Sequence, residues 1–232
     1  MDRSNSLRVA AFAGLMASLA SVAGCVDDGG SLHVVCSISP DVADDGCTFN
    51  PESDTCVFKG VMNLAAAKQY DAALGVESGL KPRASNVPPR PEPNRLSLTG
   101  ATIEIRKPNG ARLDIPGLDN PFPFAGSGTV PPGGHGVMSV TLIPSNYADR
   151  LRENVLGGQP ETQVVVAVKV KGVTDGGEEV ESGEWLWPIN LEYTSPVQGE
   201  GCTVMDYCQS LGGLDAFANA CQCTAPDTSC KL

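Results

Sequence analysis

The stretch that most narrows the fold of this chain is residues 162–174. Val164, Val166, Val168 and Val170 recur at every second position, while Lys169 and Lys171 take the opposite parity. A strand turns successive side chains to opposite faces, whereas a helix would scatter these valines around its circumference. The segment therefore reads as a strand with one apolar face, and a second layer must cover that face. Asp175-Gly176-Gly177 supplies a turn, and residues 180–193 return with Trp185, Trp187, Ile189, Leu191 and Tyr193 in step. Pro188 cannot donate a backbone hydrogen bond, which places it at an edge or a bulge.

The same period recurs elsewhere. Ile103 and Ile105 alternate with Glu104 and Arg106, Pro108-Asn109-Gly110 turns, and Leu113 and Ile115 return, the pattern of a hairpin. Met138, Val140 and Leu142 form a strand ending at Pro144; Ser145 is then placed to cap a short helix over 146–154 that buries Tyr147 and Leu151. Earlier, Tyr70, Ala72, Leu74 and Val76 alternate as in a half-buried strand, with 57–62 as a further one. Residues 79–95 hold Pro82, Pro88, Pro89, Pro91 and Pro93 and read as a surface excursion with polyproline character. About seven or eight short strands, Gly/Pro turns and one helix predict a mainly β fold, an antiparallel immunoglobulin-like β-sandwich. Disulfide-rich segments are expected at both of its ends.

The start of the chain reads differently. Arg3 and Arg8 precede an apolar run over 9–24 that is 16 residues long. A bilayer span takes about 20 residues, so a signal peptide is preferred to a transmembrane helix. The run closes on Leu19-Ala20-Ser21-Val22-Ala23-Gly24-Cys25. That motif resembles the lipobox of bacterial lipoproteins, which implies cleavage after residue 24 and covalent lipid on Cys25. The expected organisation is a lipoprotein signal peptide over 1–24 and a lipid-anchored tether over 25–35. A β domain over 36–198 and a Cys-rich appendage over 199–232 follow.

Nine cysteines become eight once Cys25 carries lipid. Even parity in an exported chain predicts a disulfide framework from Cys36, Cys47, Cys56, Cys202, Cys208, Cys221, Cys223 and Cys230. The first three and last five form two odd-numbered blocks, so complete pairing requires at least one bridge between the blocks. A metal site is not expected: no Cys-x2-Cys pair occurs, and His33 and His135 lie far apart in the chain. Asp41, Asp44, Asp45 and Gly46 lack the alternating ligands of a calcium loop and read as a solvated acidic turn.

A formal charge of −11 with no basic cluster argues against nucleic acid as a partner and against attraction to anionic lipid heads. Attachment to a membrane then falls to the acyl chains on Cys25, the only cofactor-like group expected. Catalytic parts are scarce. His135 sits in a Pro/Gly turn with no evident residue to orient it as a hydrolase base, and Gly126-Ser127-Gly128 lacks the elbow spacing of a nucleophilic serine. Glu178, Glu179, Glu181 and Glu184 crowd one hairpin, where carboxylates usually face water. Trp185 and Trp187 share a strand face. Exposed, they would stack on sugar rings; buried, they belong to the core, and Ile189 and Leu191 on the same face favour burial.

Several segments together resemble a group of uncharacterised Cys-rich lipoproteins of myxobacteria-type Gram-negative bacteria. They are the lipobox, the early Cys block, Tyr70–Leu80 (YDAALGVESGL), Arg90–Leu98 (RPEPNRLSL), Val164–Gly177 (VVVAVKVKGVTDGG) leading into Trp187-Pro188-Ile189, and the Cys-rich end. That resemblance implies a lipid-anchored envelope protein and carries over no catalytic residue. Val26, rather than Asp, after the lipidated Cys implies outer-membrane delivery. The function expected is structural or partner-binding and non-enzymatic, with an envelope protein or a carbohydrate as partner; the alternative is a carbohydrate- or ligand-binding module using Trp185 and Trp187.

Overall fold

The computed structural model describes residues 30–39, 41–43, 46–52, 56–65, 67–82, 92–154, 161–193, 202–204 and 221–223. Cys25 and the rest of the leader, Cys208 and Cys230 lie outside them. The chain is mainly β, with two facing sheets and one helix. Its first strand is β1 (Leu32–Ile38), followed by the short β2 (Asp41–Ala43) and β3 (Gly46–Thr48), which pair as a hairpin. Next come β4 (Cys56–Val57), β5 (Gly60–Asn63), β6 (Tyr70–Ser78), β7 (Leu96–Arg106), β8 (Phe122–Val130) and β9 (His135–Ile143). Helix α1 (Ser145–Asn154) leads to β10 (Glu161–Thr174), β11 (Glu179–Glu181) and β12 (Trp185–Glu192). A last pair, β13 (Cys202–Val204) and β14 (Cys221–Cys223), sets Cys202 opposite Cys223.

One sheet has the order β4-β1-β6-β9, the other β5-β12-β10-β7-β8 with β11 also on β10. Every pairing is antiparallel except β5 with β12, which is parallel. The valines of β10 face inward as expected: Val164, Val166, Val168 and Val170 are at most 1% exposed and pack with Leu74, Val76, Met138 and Val140 of the opposite sheet. Period 2 along each strand is thus the direct cause of the sandwich.

Several expectations need correcting. Residues 25–35 were expected to be a tether, but strand pairing begins at Leu32, a fully buried residue opposite Ser78. A register shift between Val34 and Cys36 leaves Val35 as an extra residue, half exposed, so that the inward parity changes along β1. Ser37 then faces Leu74, while Cys36 and Ile38 turn to the outer face. The strand expected at 57–62 is two short ones, β4 and β5, in different sheets.

β8 had no counterpart in the sequence reading. Its inward parity is Phe122, Phe124, Gly126, Gly128 and Val130, and the two glycines hide the alternation. They are there because β8 and β9 cross closely where the sheets meet. A Cβ on Gly128 would lie 2.8 Å from the Val137 carbonyl oxygen, and one on Gly136 2.5 Å from that of Thr129.

The Asn109-Gly110 turn forms, with Gly110 at φ 84°. The expected return strand does not: a single bridge joins Arg106 to Arg112 before the chain departs. The side chain of Asn120 takes the place of the missing strand. Its Oδ1 accepts from the Ile105 amide at 2.8 Å, and its Nδ2 donates to the carbonyls of Ile105 and Leu113 at 2.7 Å each. Residues 180–193 likewise return in two pieces, because Ser182 breaks the ladder and its Oγ accepts from the Val170 amide at 2.9 Å. Pro188 lies in β12 just before Ile189, the first residue that β5 covers, so the strand is locally an edge there.

The helix is present, with Tyr147 and Leu151 buried. Ser145 is its first residue rather than its cap, so Pro144 stands in the cap position and its carbonyl accepts the first helical bonds, from the Tyr147 and Ala148 amides. Tyr147 donates to the Asp119 carbonyl at 2.6 Å and packs on Phe122, while Arg152 donates twice to the Leu64 carbonyl. The helix thereby closes one end of the sandwich. Of the Pro-rich excursion, residues 83–91 lie outside the described residues; its two ends are tied where Asn94 Nδ2 donates to the Lys81 carbonyl at 2.8 Å.

Candidate functional site

Cys36 and Cys56 are joined by a disulfide that closes a loop with a sequence separation of 20. The bond staples β1 to β4 on the outer face of the four-stranded sheet. Around it Cys36, Ile38 and Ala73 are buried although they stand apart from the inter-sheet core. Asp71 is also buried, accepting from Thr141 Oγ1 at 2.6 Å and Gln69 Nε2 at 2.7 Å. The half-buried alternation expected for β6 is replaced by burial on both faces, with Glu77 its one exposed residue.

The tryptophans turn inward. Trp187 is 2% exposed, and its indole Nε1 donates to the Tyr70 hydroxyl at 3.3 Å. Trp185 stacks on it with ring centroids 5.1 Å apart and is half buried. No side chain is tolerated at Gly60, whose Cβ would collide with the Tyr70 hydroxyl. A sugar stacks on an open indole face, and Trp187 offers none.

On the outer face of the six-stranded sheet the charges close on one another. Arg106 donates through Nη1 and Nη2 to both oxygens of Glu184 at 2.7 Å each, and through Nη2 to Glu104 at 2.8 Å. Arg112 Nε reaches the second oxygen of Glu104 at 2.9 Å. The hydrogen bond from Arg106 holds Glu184 below the usual carboxylate range, and those from Arg106 and Arg112 do the same for Glu104. Both carboxylates in turn raise the Arg106 guanidinium. Lys169 and Lys171 flank Glu181 at 3.8 and 3.7 Å beside an open groove of about 840 Å³ that Thr99, Glu179 and Ser182 also line. The glutamates that crowd one stretch of sequence are therefore dispersed, Glu184 to Arg106 and Glu181 to Lys169 and Lys171. Glu178 and Glu179 face solvent.

The structure brings together two residues that the sequence kept apart. His33 on β1 lies opposite Glu77 on β6, and Glu77 lies opposite His135 on β9. Directly opposed residues share a sheet face, so the chain's two histidines flank one glutamate on the outer side of the four-stranded sheet. His135 is not in a turn, as expected, but opens a strand. Its ring is half buried, and His33 and Glu77 are exposed. His33 Nε2 rests 3.1 Å from the Gly30 carbonyl oxygen. As they stand, no three His, Cys, Asp or Glu side chains among the described residues converge on one point. No serine or other nucleophile is hydrogen-bonded to His135 among them, so the hydrolase arrangement gains no partner.

Asp41 and Gly46 belong to the β2–β3 hairpin, and Asp44 and Asp45 lie outside the described residues. No helix among the described residues is long and apolar enough to cross a membrane. No family model matches the chain, and no curated protein does. Among solved structures, an X-ray structure of a Northeast Structural Genomics Consortium target is similar at 10% identity and a TM-score of 0.30, over 75% of this chain and 93% of that one.

Proposed function

We propose that this chain is an exported protein held to the outer membrane of a bacterial envelope by lipid on Cys25. Its β domain serves a structural or partner-binding, non-enzymatic role. The observation that supports this reading most is the Cys36–Cys56 disulfide, because such bonds persist in oxidising compartments outside the cytosol. The lipobox supplies the anchor, and the charge of the chain leaves the acyl groups to do the holding. We read the sandwich as immunoglobulin-like, with its two sheets joined by connections that cross between them. In the same reading the remaining thiols complete a disulfide framework. With Cys36 and Cys56 joined, Cys47 is the odd thiol of its block and supplies the bridge to Cys202, Cys208, Cys221, Cys223 or Cys230.

Growth with a clickable fatty acid tests the anchor. The full chain is expected to take up label and to lose it in Cys25→Ser. Label that persists in the variant removes the lipobox reading by putting the lipid on another residue, and a parent that takes up no label leaves an ordinary secreted protein.

A further inference from the structure

We propose that the pole of the sandwich at which β1 begins faces the bilayer, and that the opposite pole, closed by α1, is the one presented to other molecules. The inference rests on the lipidation of Cys25 proposed above and adds an orientation to it. The motive is the short reach of the tether. Ser31 already belongs to the fold, since its carbonyl accepts from the Gly79 amide at 3.0 Å. Only the links from Cys25 to Gly30 separate the acylated residue from that point. At about 3.3–3.6 Å per residue they span about 18 Å at most. β6 runs the length of the four-stranded sheet from Tyr70 to Ser78, which at strand spacing is about 30 Å. The tether is therefore too short to reach back along the strands and set the far pole on the bilayer.

Both sheets end together at the near pole. Leu32 of β1 lies opposite Ser78 of β6, whose amide donates to the Gly134 carbonyl at 3.0 Å. In the other sheet Leu96 lies between Val130 and Thr174, and residues 131–134 join Val130 to His135. The turn after β10 is tied to the same pole, where the Gly176 amide donates to the Pro93 carbonyl at 2.9 Å. Glu77, Glu92, Asp175, Glu178 and Glu179 outnumber Lys81 and Arg95 there, so the pole does not attract anionic lipid heads. Orientation thus comes from the tether and not from adhesion. The sides of the sandwich offer the bilayer no alternative seat. Arg106, Lys169 and Lys171 on the six-stranded sheet are paired with glutamates. The exposed large apolar side chains among the described residues, Val35, Phe58, Leu186 and Tyr193, are spread over β1, the β4–β5 link and the two ends of β12. At the far pole α1 presents Asp149, Arg150 and Glu153 to solvent.

Energy transfer to an acceptor on the lipid headgroups of phosphatidylcholine vesicles tests the proposal on the full, lipidated and oxidised chain. A fluorescent amino acid stands in place of exposed Glu178 at the near pole in one protein and of exposed Glu153 on α1 in another. Both proteins are expected to float with the vesicles. Transfer from position 178 should exceed that from position 153 about twofold or more, given about 30 Å of strand between the poles. Inserting about twenty Gly/Ser residues after Asp28, a linker with an end-to-end distance of about 25 Å, should bring the two efficiencies together. Equal transfer from the two positions without the insertion, or stronger transfer from position 153, overturns the orientation while flotation leaves the anchor standing. A difference that survives the insertion overturns the tether as its cause. A parent chain that floats no better than Cys25→Ser overturns the anchor, and the orientation with it.

Discussion

On the six-stranded sheet the outward charges satisfy one another, whereas on the four-stranded sheet one half of the outer face is sealed and the other carries His33, Glu77 and His135 without an ion pair among the described residues. Arg106 stands between Glu104 and Glu184, and Glu181 stands between Lys169 and Lys171. Such rows hold neighbouring strands in register and have little charge left to offer a ligand. Across the molecule, Asp71 and the Cys36–Cys56 bond close the surface near β4. At the other end of the same strands, His33, Glu77 and His135 stay accessible. The two outer faces thus differ in whether their charges meet within the sheet.

The contrast also separates how the sheets are held. The four-stranded sheet depends on a covalent staple, because β4 contributes only two residues of pairing. Replacing Cys36 and Cys56 by alanine should cost about 2–5 kcal/mol, the usual range for a native disulfide. Denaturant midpoints with and without reductant measure it. A loss under 1 kcal/mol would mean that pairing alone secures β4.

The six-stranded sheet instead relies on Asn120 where its hairpin stops short. Asn120→Ala strands the amide of Ile105, a residue with 0% exposure, while the Ile105 carbonyl keeps the Leu113 amide, and should cost about 1–3 kcal/mol. Urea unfolding reads this, and a neutral result would show that water enters the gap.

The smallest effect is expected on the ion row. Arg106→Ala should destabilise by about 0.2–1 kcal/mol, as surface ion pairs do, and less at high salt. The pH dependence has a definite sign. Glu104 and Glu184 are held below their ordinary range in the folded chain, so their contribution is present above the unfolded carboxylate value of about 4.3. It is lost as pH falls further, through the folded values. Thermal midpoints of the parent and Arg106→Ala should therefore converge at low pH, and a constant gap would assign the arginine's effect to packing.

Much of this was legible in the chain. The inward valines of β10, the tryptophan strand, Met138, Val140 and Leu142, and the helix with Tyr147 and Leu151 were all readable. Each carries a strong period over several residues. β8 was not, because glycine stands at the inward positions where β9 approaches. β1 was not, because Val35 shifts the parity within seven residues. The helix starts at Ser145, one residue before the expected start, because proline at 144 takes the cap position without a side-chain acceptor. Burial of Trp187 was favoured from its neighbours, but its partner Tyr70 lies in another sheet.

The sequence by itself determined the strands that keep a long period, β6, β7, β9, β10 and β12, and for most of them the apolar face, since both follow from the two-residue period of the extended backbone. It also set the spacing of the cysteines and the acidity of the chain. Only the tertiary structure decided which strand lies beside which. That choice closed Cys36 on Cys56, gave Glu184 to Arg106, and set His33 and His135 on either side of Glu77. Register between distant strands comes from packing both apolar faces into one core at once, and no local pattern in the chain encodes it.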